Sequence, residues 1–303
     1  MTLSHCWGDS KGMLKLTSDT YKHRMKDGFS YAELPKTFQD FIRLSRFLHN
    51  EYVWIDSLCI IQDSLDDWIQ ESKTMADVYL HSKCNIAATG SQGPSDGCFY
   101  PRELTLVSPL EILLRTTKAE DNRFVKRYLF FDDRIWHRNV ENGPLNRRSW
   151  VLQERILAPR QIHCGREQLL WECYQTTACE TFPFILDRIR SVNINRRGEV
   201  TEVLSRLQWV TPEEKIAHMR HSIYQDWTRI VSWYSTCSLS RRTDKLVAIF
   251  GISSRIQDGL KNMDSYVAGL WRSQLPWQLL WKRDTSSTFM MDIQLPGKVW
   301  PLA

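Results

Sequence analysis

Residues 34–63 read LPKTFQDFIRLSRFLHNEYVWIDSLCIIQD, and this stretch decides the fold class. Its first half opens with Leu-Pro and carries apolar residues such as Phe38 and Phe41 at the three- and four-residue spacing of a helix. Its second half contains residues 52–55, an apolar run that is too short for a helix and ends at Asp56. Such a run is typical of a parallel strand that is covered on both faces. The segment therefore predicts a helix followed by a buried strand.

The flanking residues extend the same alternation. Leu3-Ser4 resembles the end of a strand, and Ser64 with Asp67 forms an approximate capping box that begins a helix. Residues 85–88 predict a third short strand, which continues into the Gly/Ser-rich loop 89–97. Strand, helix, strand, helix, strand at this spacing predicts a doubly wound α/β core.

The middle of the chain is less regular. Residues 104–114 and 127–131 predict β segments, which would be insertions in the α/β core. Ser149 begins a predicted helix that Pro159 stops, and residues 161–164 and 168–171 predict a hairpin.

The last part of the chain predicts a mostly helical lobe. A helical stripe runs from residue 216 to 234, and further helices are predicted at 245–256 and at 266–281, the last interrupted by Pro276. We expect three regions, namely an α/β domain over residues 1–180, a polar linker or excursion over 181–213, and the helical lobe over 214–303.

Composition narrows the class of protein. The 303 residues are 42% hydrophobic and 25% charged, in the ordinary range for a soluble globular protein. The net charge of +5 comes without a polybasic face, which argues against nucleic-acid binding. No signal peptide or apolar membrane span is recognisable, and the eight cysteines form no CxxC pair. We therefore expect a cytoplasmic protein with free thiols.

Four strings in this order are similar to those of one protein family. They are LSHCWG, the stretch quoted above, DDWIQESKTMADVYLHSKCNIAATG and RSWVLQERILAPRQIHCGREQLLWEC, at residues 3–8, 34–63, 66–90 and 148–173. They span most of residues 3–173, and DKLVAIFGI and YVAGLW, which begin at Asp244 and Tyr266, are similar to segments that follow this domain in the family. On these strings the chain resembles a fungal heterokaryon-incompatibility (HET) domain.

The resemblance implies a self/non-self recognition module that triggers cell death. Members of the family have a full strand before LSHCWG, whereas this chain starts almost at the motif. We therefore expect a shortened first strand that lacks two or three buried side chains, at about 1.5–3 kcal/mol each.

HET domains also resemble, remotely, the flavodoxin-like TIR domains, some of which hydrolyse NAD with a glutamate in a Trp-Cys-Leu-x-Glu motif. Here Trp150 and Glu154 stand at the matching positions, one helical turn apart. The resemblance implies Glu154 as a catalytic carboxylate for an oxocarbenium-like ribose, with NAD as substrate rather than a resident cofactor. A surface or ion-paired Glu154 with Trp150 as a core anchor is the structural alternative.

Asp56 is the second catalytic candidate. A carboxylate at the carboxyl end of a central parallel strand lies where open α/β sheets bind ligands, and it could orient a ribose hydroxyl. Its alternative role is to brace the loop that follows it. Trp7, Trp54 and Trp150 are candidate stacking surfaces for the rings of the ligand.

Other chemistries are disfavoured by the spacing of the residues. His5 and Cys6 are adjacent and have no evident third partner, which argues against a nucleophilic pair. His163 and Cys164 would face opposite sides of a strand, so no zinc site with Cys173 and Cys179 is expected. No GxGxxG or P-loop string is present.

Three functions remain open from the sequence. The domain is an NAD-hydrolysing enzyme, a non-catalytic adaptor that acts by homotypic association, or a degenerate remnant. The expected partner is a second copy of the chain or another incompatibility protein.

Overall fold

The computed structural model describes residues 1–8, 13–103, 107–116, 124–130, 132, 134–183, 213–261 and 263–280. Its centre is a five-stranded mixed sheet in the order β1-β2-β5-β6-β7. The strands of this sheet are β1 (Thr2–Ser4), β2 (Asn85–Ala87), β5 (Arg160–Cys164), β6 (Leu169–Cys173) and β7 (Thr177–Cys179). Strands β1, β2 and β5 are parallel, whereas β6 and β7 pair antiparallel to their neighbours. The predicted α/β class and the predicted hairpin at β5 and β6 are confirmed.

The strand predicted at residues 52–55 is wrong in extent. Only Trp54 pairs, in a single parallel bridge to Thr2, and the side chain of Tyr52 is 84% exposed. The chain leaves the sheet at once because Asp56 begins the short helix α3 (Asp56–Cys59). If Trp54 is counted as an edge strand, the parallel segments lie across the sheet in the order Trp54, β1, β2, β5. These are the second, first, third and fourth segments along the chain, and a flavodoxin-like sheet begins with the same order.

One face of the sheet is apolar and is covered by α2 (Lys36–Phe47), which lies where the sequence predicts it. Phe38 and Phe41 are fully buried in a cluster that includes Leu3 and Ile86 of the sheet. Burial of each such side chain stabilises the fold by about 1.5–3 kcal/mol. A shorter helix, α1 (Ser18–Asp27), precedes α2 in the chain and buries none of its residues.

The opposite face of the sheet is polar but buried. It is covered by α4 (Leu65–Leu80), α5 (Ser149–Leu157) and α7 (Val247–Gly259), which also pack on one another. As predicted, Ser64 caps α4, because its hydroxyl accepts a hydrogen bond from the backbone N–H of Asp67 at 3.3 Å. Helix α6 (Glu213–Ser235) precedes α7 in the predicted helical region.

The β insertion is a separate two-stranded antiparallel sheet. It consists of β3 (Leu110–Thr116) and β4 (Phe124–Phe130), so the first predicted β segment begins later than residue 104. Residues 104–106 and 131 lie outside the described residues, as does nearly all of the predicted linker at 181–213.

The helix predicted at residues 266–281 is wrong. In its place are the two-residue strands β8 (Tyr266–Val267) and β9 (Leu270–Trp271), followed by the short helix α8 (Leu275–Gln278). The turn between the strands is tight because Ala268 and Gly269 both have positive φ, at 49° and 101°. The described residues fall into two compact units, one within residues 1–263 and the other within residues 264–280. None of the described helices is long and apolar enough to cross a membrane.

Candidate functional site

The candidate site lies where the parallel strands end. β1 is followed by His5–Gly8, the Trp54 bridge by Asp56, and β2 by the loop that begins at Ala88. The order of the strands reverses at β1, and the carboxyl ends of strands at such a point form the ligand-binding crevice of open α/β sheets.

Asp56 and Trp7 form one part of this site. The indole N–H of Trp7 donates to Asp56 Oδ2 at 3.0 Å, and the backbone N–H of Ser57 donates to Oδ1 at 2.7 Å. Asp56 therefore braces the loop and the start of α3, as its structural alternative predicts. Its side chain is still 21% exposed, so one edge of the carboxylate can contact a ligand.

Glu154 is buried between β1, α4 and α5. Its residue exposure is 5%, and the hydroxyls of Ser4 and Tyr79 are near enough to its carboxyl group to affect its pKa. Burial, with a smaller contribution from the negative charge of Asp56, raises its pKa from 4.5 to about 7, against the opposing effects of Ser4, Arg148 and Tyr79. Glu154 is thus the carboxyl group in this site that can exchange a proton near neutral pH.

Arg148 supplies positive charge near Glu154. Its guanidinium donates to the carbonyl oxygen of His5, which ties the start of α5 to the end of β1. The positive charge of Arg148 lowers the pKa of Glu154, although less than the Ser4 hydroxyl does. Arg148 therefore connects the turn after β1 to the helix that carries Glu154.

The adjacent His5 and Cys6 do not form a catalytic pair. His5 packs edge-on against Phe38 of α2 with ring centroids 4.9 Å apart, whereas Cys6 packs with Leu145 and Val151 on the other face of the sheet. Burial lowers the pKa of His5 to about 4 and raises that of the Cys6 thiol. Both groups are consequently neutral near pH 7, and the predicted lack of mutual contact is confirmed.

The three candidate tryptophans occupy different places. Trp7 donates a hydrogen bond to Asp56, while Trp54 contacts Tyr79 edge-on with 5.5 Å between ring centroids. Trp150, which is half-buried, packs edge-on against the half-buried Trp68 of α4, with 6.4 Å between ring centroids. Of the three, Trp7 alone is placed by a hydrogen bond to a candidate catalytic residue.

A family model described as Heterokaryon incompatibility protein (HET) matches residues 1–154, about half of the chain. The chain belongs to the heterokaryon incompatibility family. Its HET domain gives it a role in heterokaryon incompatibility, as the four strings predict. The search of curated proteins found no match, and neither did the search of solved structures.

The HET-domain match includes every residue of the site, from Ser4 to Glu154. Sequence reasoning named Asp56, Glu154 and Trp7 but missed Ser4, Tyr79 and Arg148 as partners of Glu154. All three of these residues lie within the strings that carry the resemblance. The signal was therefore present, but only the folded chain shows that they converge on one carboxyl group.

A second buried polar network lies beside this site in the HET protein and has a structural role. Arg155 binds Glu172 through two hydrogen bonds of 2.9 Å each, and Glu172 also contacts His163 Nε2 at 3.0 Å. His163 and Cys164 face opposite sides of β5, as predicted, with Cys164 in the apolar cluster of α2. In the part of the chain that the structure describes, no three His, Cys, Asp or Glu side chains are grouped to hold a metal.

Proposed function

We propose that this HET domain triggers regulated cell death in the cytoplasm by cleaving the bond between nicotinamide and ribose in NAD. The observation that supports this proposal is Glu154, a buried carboxyl group with a pKa of about 7, beside Asp56 at the carboxyl end of β1. Strongly shifted carboxyl groups cluster at catalytic sites because proton transfer is most effective near the working pH.

The reaction requires few protein groups. Nicotinamide leaves the ribose as a neutral base, and water then bonds to the anomeric carbon, so the products are nicotinamide, ADP-ribose and one proton. In its charged form Glu154 would stabilise the oxocarbenium-like ribose and accept the proton of the attacking water. Asp56 would accept a hydrogen bond from a ribose hydroxyl, and Trp7 would stack on a ring of the ligand.

Burial of Glu154 sets a condition for this activity. With 5% of the residue exposed, a ribose can reach the carboxyl group only after neighbouring side chains move. Such a requirement suits an enzyme that stays inactive until a second copy or another incompatibility protein rearranges the site. The alternative role of Glu154 is structural, as a buried side chain between β1, α4 and α5. The experiment must separate this role from catalysis.

A non-catalytic adaptor is the second candidate, and an exposed apolar surface favours it. Phe47, at the end of α2, is 77% exposed, and Tyr52 and Val53 are exposed beside the Trp54 edge of the sheet. Exposed large apolar side chains that lie close together are a common feature of association sites. An adaptor that uses this surface would function without Glu154.

The decisive experiment measures NAD consumption by the purified protein, with nicotinamide and ADP-ribose quantified by chromatography. The wild type is compared at high protein concentration with Glu154→Gln, Asp56→Asn and the exposed control Glu51→Gln. We expect turnover by the wild type and the control, a rate that rises through pH 7 as Glu154 loses its proton, and a large loss in the other two. A folded, clustered wild type that consumes no NAD would refute the enzyme and leave the adaptor.

A further inference from the structure

A second concave site lies at the carboxyl ends of β2 and β5. It is a cleft of about 530 Å³ between the loop after β2, the loop after β5 and the segment from Arg138 to Arg147. Its lining includes three arginines, Arg138, Arg147 and Arg166, and one carboxylate, Glu167. Its volume lies in the range of small-molecule sites. Glu154 does not line this cleft.

Among the residues that the structure describes, two of the three arginines, Arg147 and Arg166, have no acidic partner. Arg138 is neutralised, since its guanidinium pairs with Glu167 at 2.8 Å and with Asp132 at 2.5 Å. Arg166 donates through Nε to the carbonyl oxygen of Gly90 at 3.0 Å, which leaves its terminal nitrogens available. Across the described part of the chain, no carboxylate lies within ion-pairing distance of Arg147 or Arg166. The cleft therefore carries excess positive charge.

Close backbone packing builds the walls of the cleft. Residues His137–Glu141 form one turn of π-helix, a rare element that is frequent at functional sites. At Gly143 a Cβ atom would lie 2.5 Å from Thr89 Cγ2, so only glycine lets this segment approach the end of β2. At Gly90 a Cβ atom would lie 2.9 Å from Arg166 Cγ, so the arginine stem lies directly on the backbone. These contacts shape the walls of the cleft and hold the stem of Arg166 in place before any ligand binds.

From this geometry we infer that the cleft binds a small molecule through a diphosphate group. Guanidinium groups form paired hydrogen bonds with phosphoryl oxygens, and Arg147 and Arg166 can each engage one phosphate. The exposed amides of Gln92 and Asn142, which also line the cleft, add neutral donors. Open α/β sheets bind ligands at this edge, outside the carboxyl ends of their strands. The inference does not depend on NAD cleavage, because binding here needs neither Glu154 nor Asp56.

Calorimetric titration with inorganic pyrophosphate tests the inference directly. The wild type is compared with Arg147→Gln, Arg166→Gln and the control Arg43→Gln, which changes an exposed arginine of α2 that does not line the cleft. Because a hydrogen bond to a charged group contributes strongly, we expect each cleft variant to weaken binding about tenfold or more. The control should bind like the wild type, and added NaCl should weaken binding throughout.

The substitutions are chosen so that folding does not obscure the result. Arg147 is exposed, so Arg147→Gln should retain the wild-type melting temperature even if Arg166→Gln, which also loses its bond to Gly90, does not. No saturable pyrophosphate binding by the folded wild type would overturn the inference. Equal weakening by Arg43→Gln and Arg147→Gln would also overturn it, since binding would then follow overall charge rather than the cleft.

Discussion

Replacing Glu154 by glutamine should change how the stability of the protein depends on pH. The carboxyl group has a pKa of about 7 in the folded protein, against an ordinary value of 4.5. Below pH 4.5 it carries its proton in both the folded and the unfolded chain. Between pH 4.5 and 7 the folded chain retains the proton more tightly, so its contribution to stability is lost as the pH rises through 7.

The magnitude follows from the size of the pKa shift. Each pKa unit corresponds to about 1.4 kcal/mol, so a shift from 4.5 to about 7 gives a stability difference of about 3 kcal/mol between low and high pH. Glutamine has nearly the same shape but does not titrate. The stability of Glu154→Gln relative to the wild type should therefore rise by about 3 kcal/mol between pH 4 and pH 8.

Urea unfolding at half-unit steps from pH 4 to pH 8 measures this difference. Any constant offset from altered contacts with Ser4 and Tyr79 cancels, because only the pH dependence of the difference in stability is used. The exposed Glu51→Gln is measured over the same range as the matched control. A flat difference for Glu154→Gln would refute the reasoning, since the carboxyl group would then titrate alike in the folded and unfolded chains.

Two further substitutions test contacts of the site and of the network beside it. Trp7→Phe keeps a smaller aromatic ring but removes the indole N–H that donates to Asp56, so the free energy of unfolding should fall by at least about 1.5–3 kcal/mol in urea denaturation. No change would mean that water replaces the indole N–H. Arg155→Met leaves Glu172 buried without its guanidinium partner and should cost about 3–5 kcal/mol, which thermal unfolding can measure. Adding Glu172→Gln should recover part of that loss, and a double variant no more stable than Arg155→Met would contradict this account.

Much of the fold could be predicted because local signals and tertiary packing agree. The apolar stripe of α2 and the Ser64 cap of α4 specify helices that the structure contains at those positions. Where local signals were weak, tertiary packing determined the secondary structure. Residues 52–55 have the apolar composition of a strand. Only Trp54 pairs with the sheet, however, because the chain turns into α3 at Asp56. Pro276 lies in the first turn of a short helix rather than interrupting a long one.

The candidate site was predictable only in part. Asp56 could be found because a carboxylate after a short apolar run signals the ligand-binding edge of a parallel sheet. Glu154 came from the motif resemblance alone, and its burial was not predicted. The arginine-lined cleft gave no signal in the sequence, since Arg147 and Arg166 belong to separate segments that only the fold brings together.

The α/β class and the family could be inferred from the amino-acid sequence alone, which also named the two candidate carboxylates, Asp56 and Glu154. Periodicity and motif strings depend on residues that are near one another along the chain, so both can be recognised in the sequence. The burial of Glu154 near Ser4 and Tyr79, its raised pKa and the hydrogen bond from Trp7 to Asp56 are visible only in the folded structure. The physical reason is that desolvation and charge proximity depend on distances between residues remote in sequence, which local patterns do not encode.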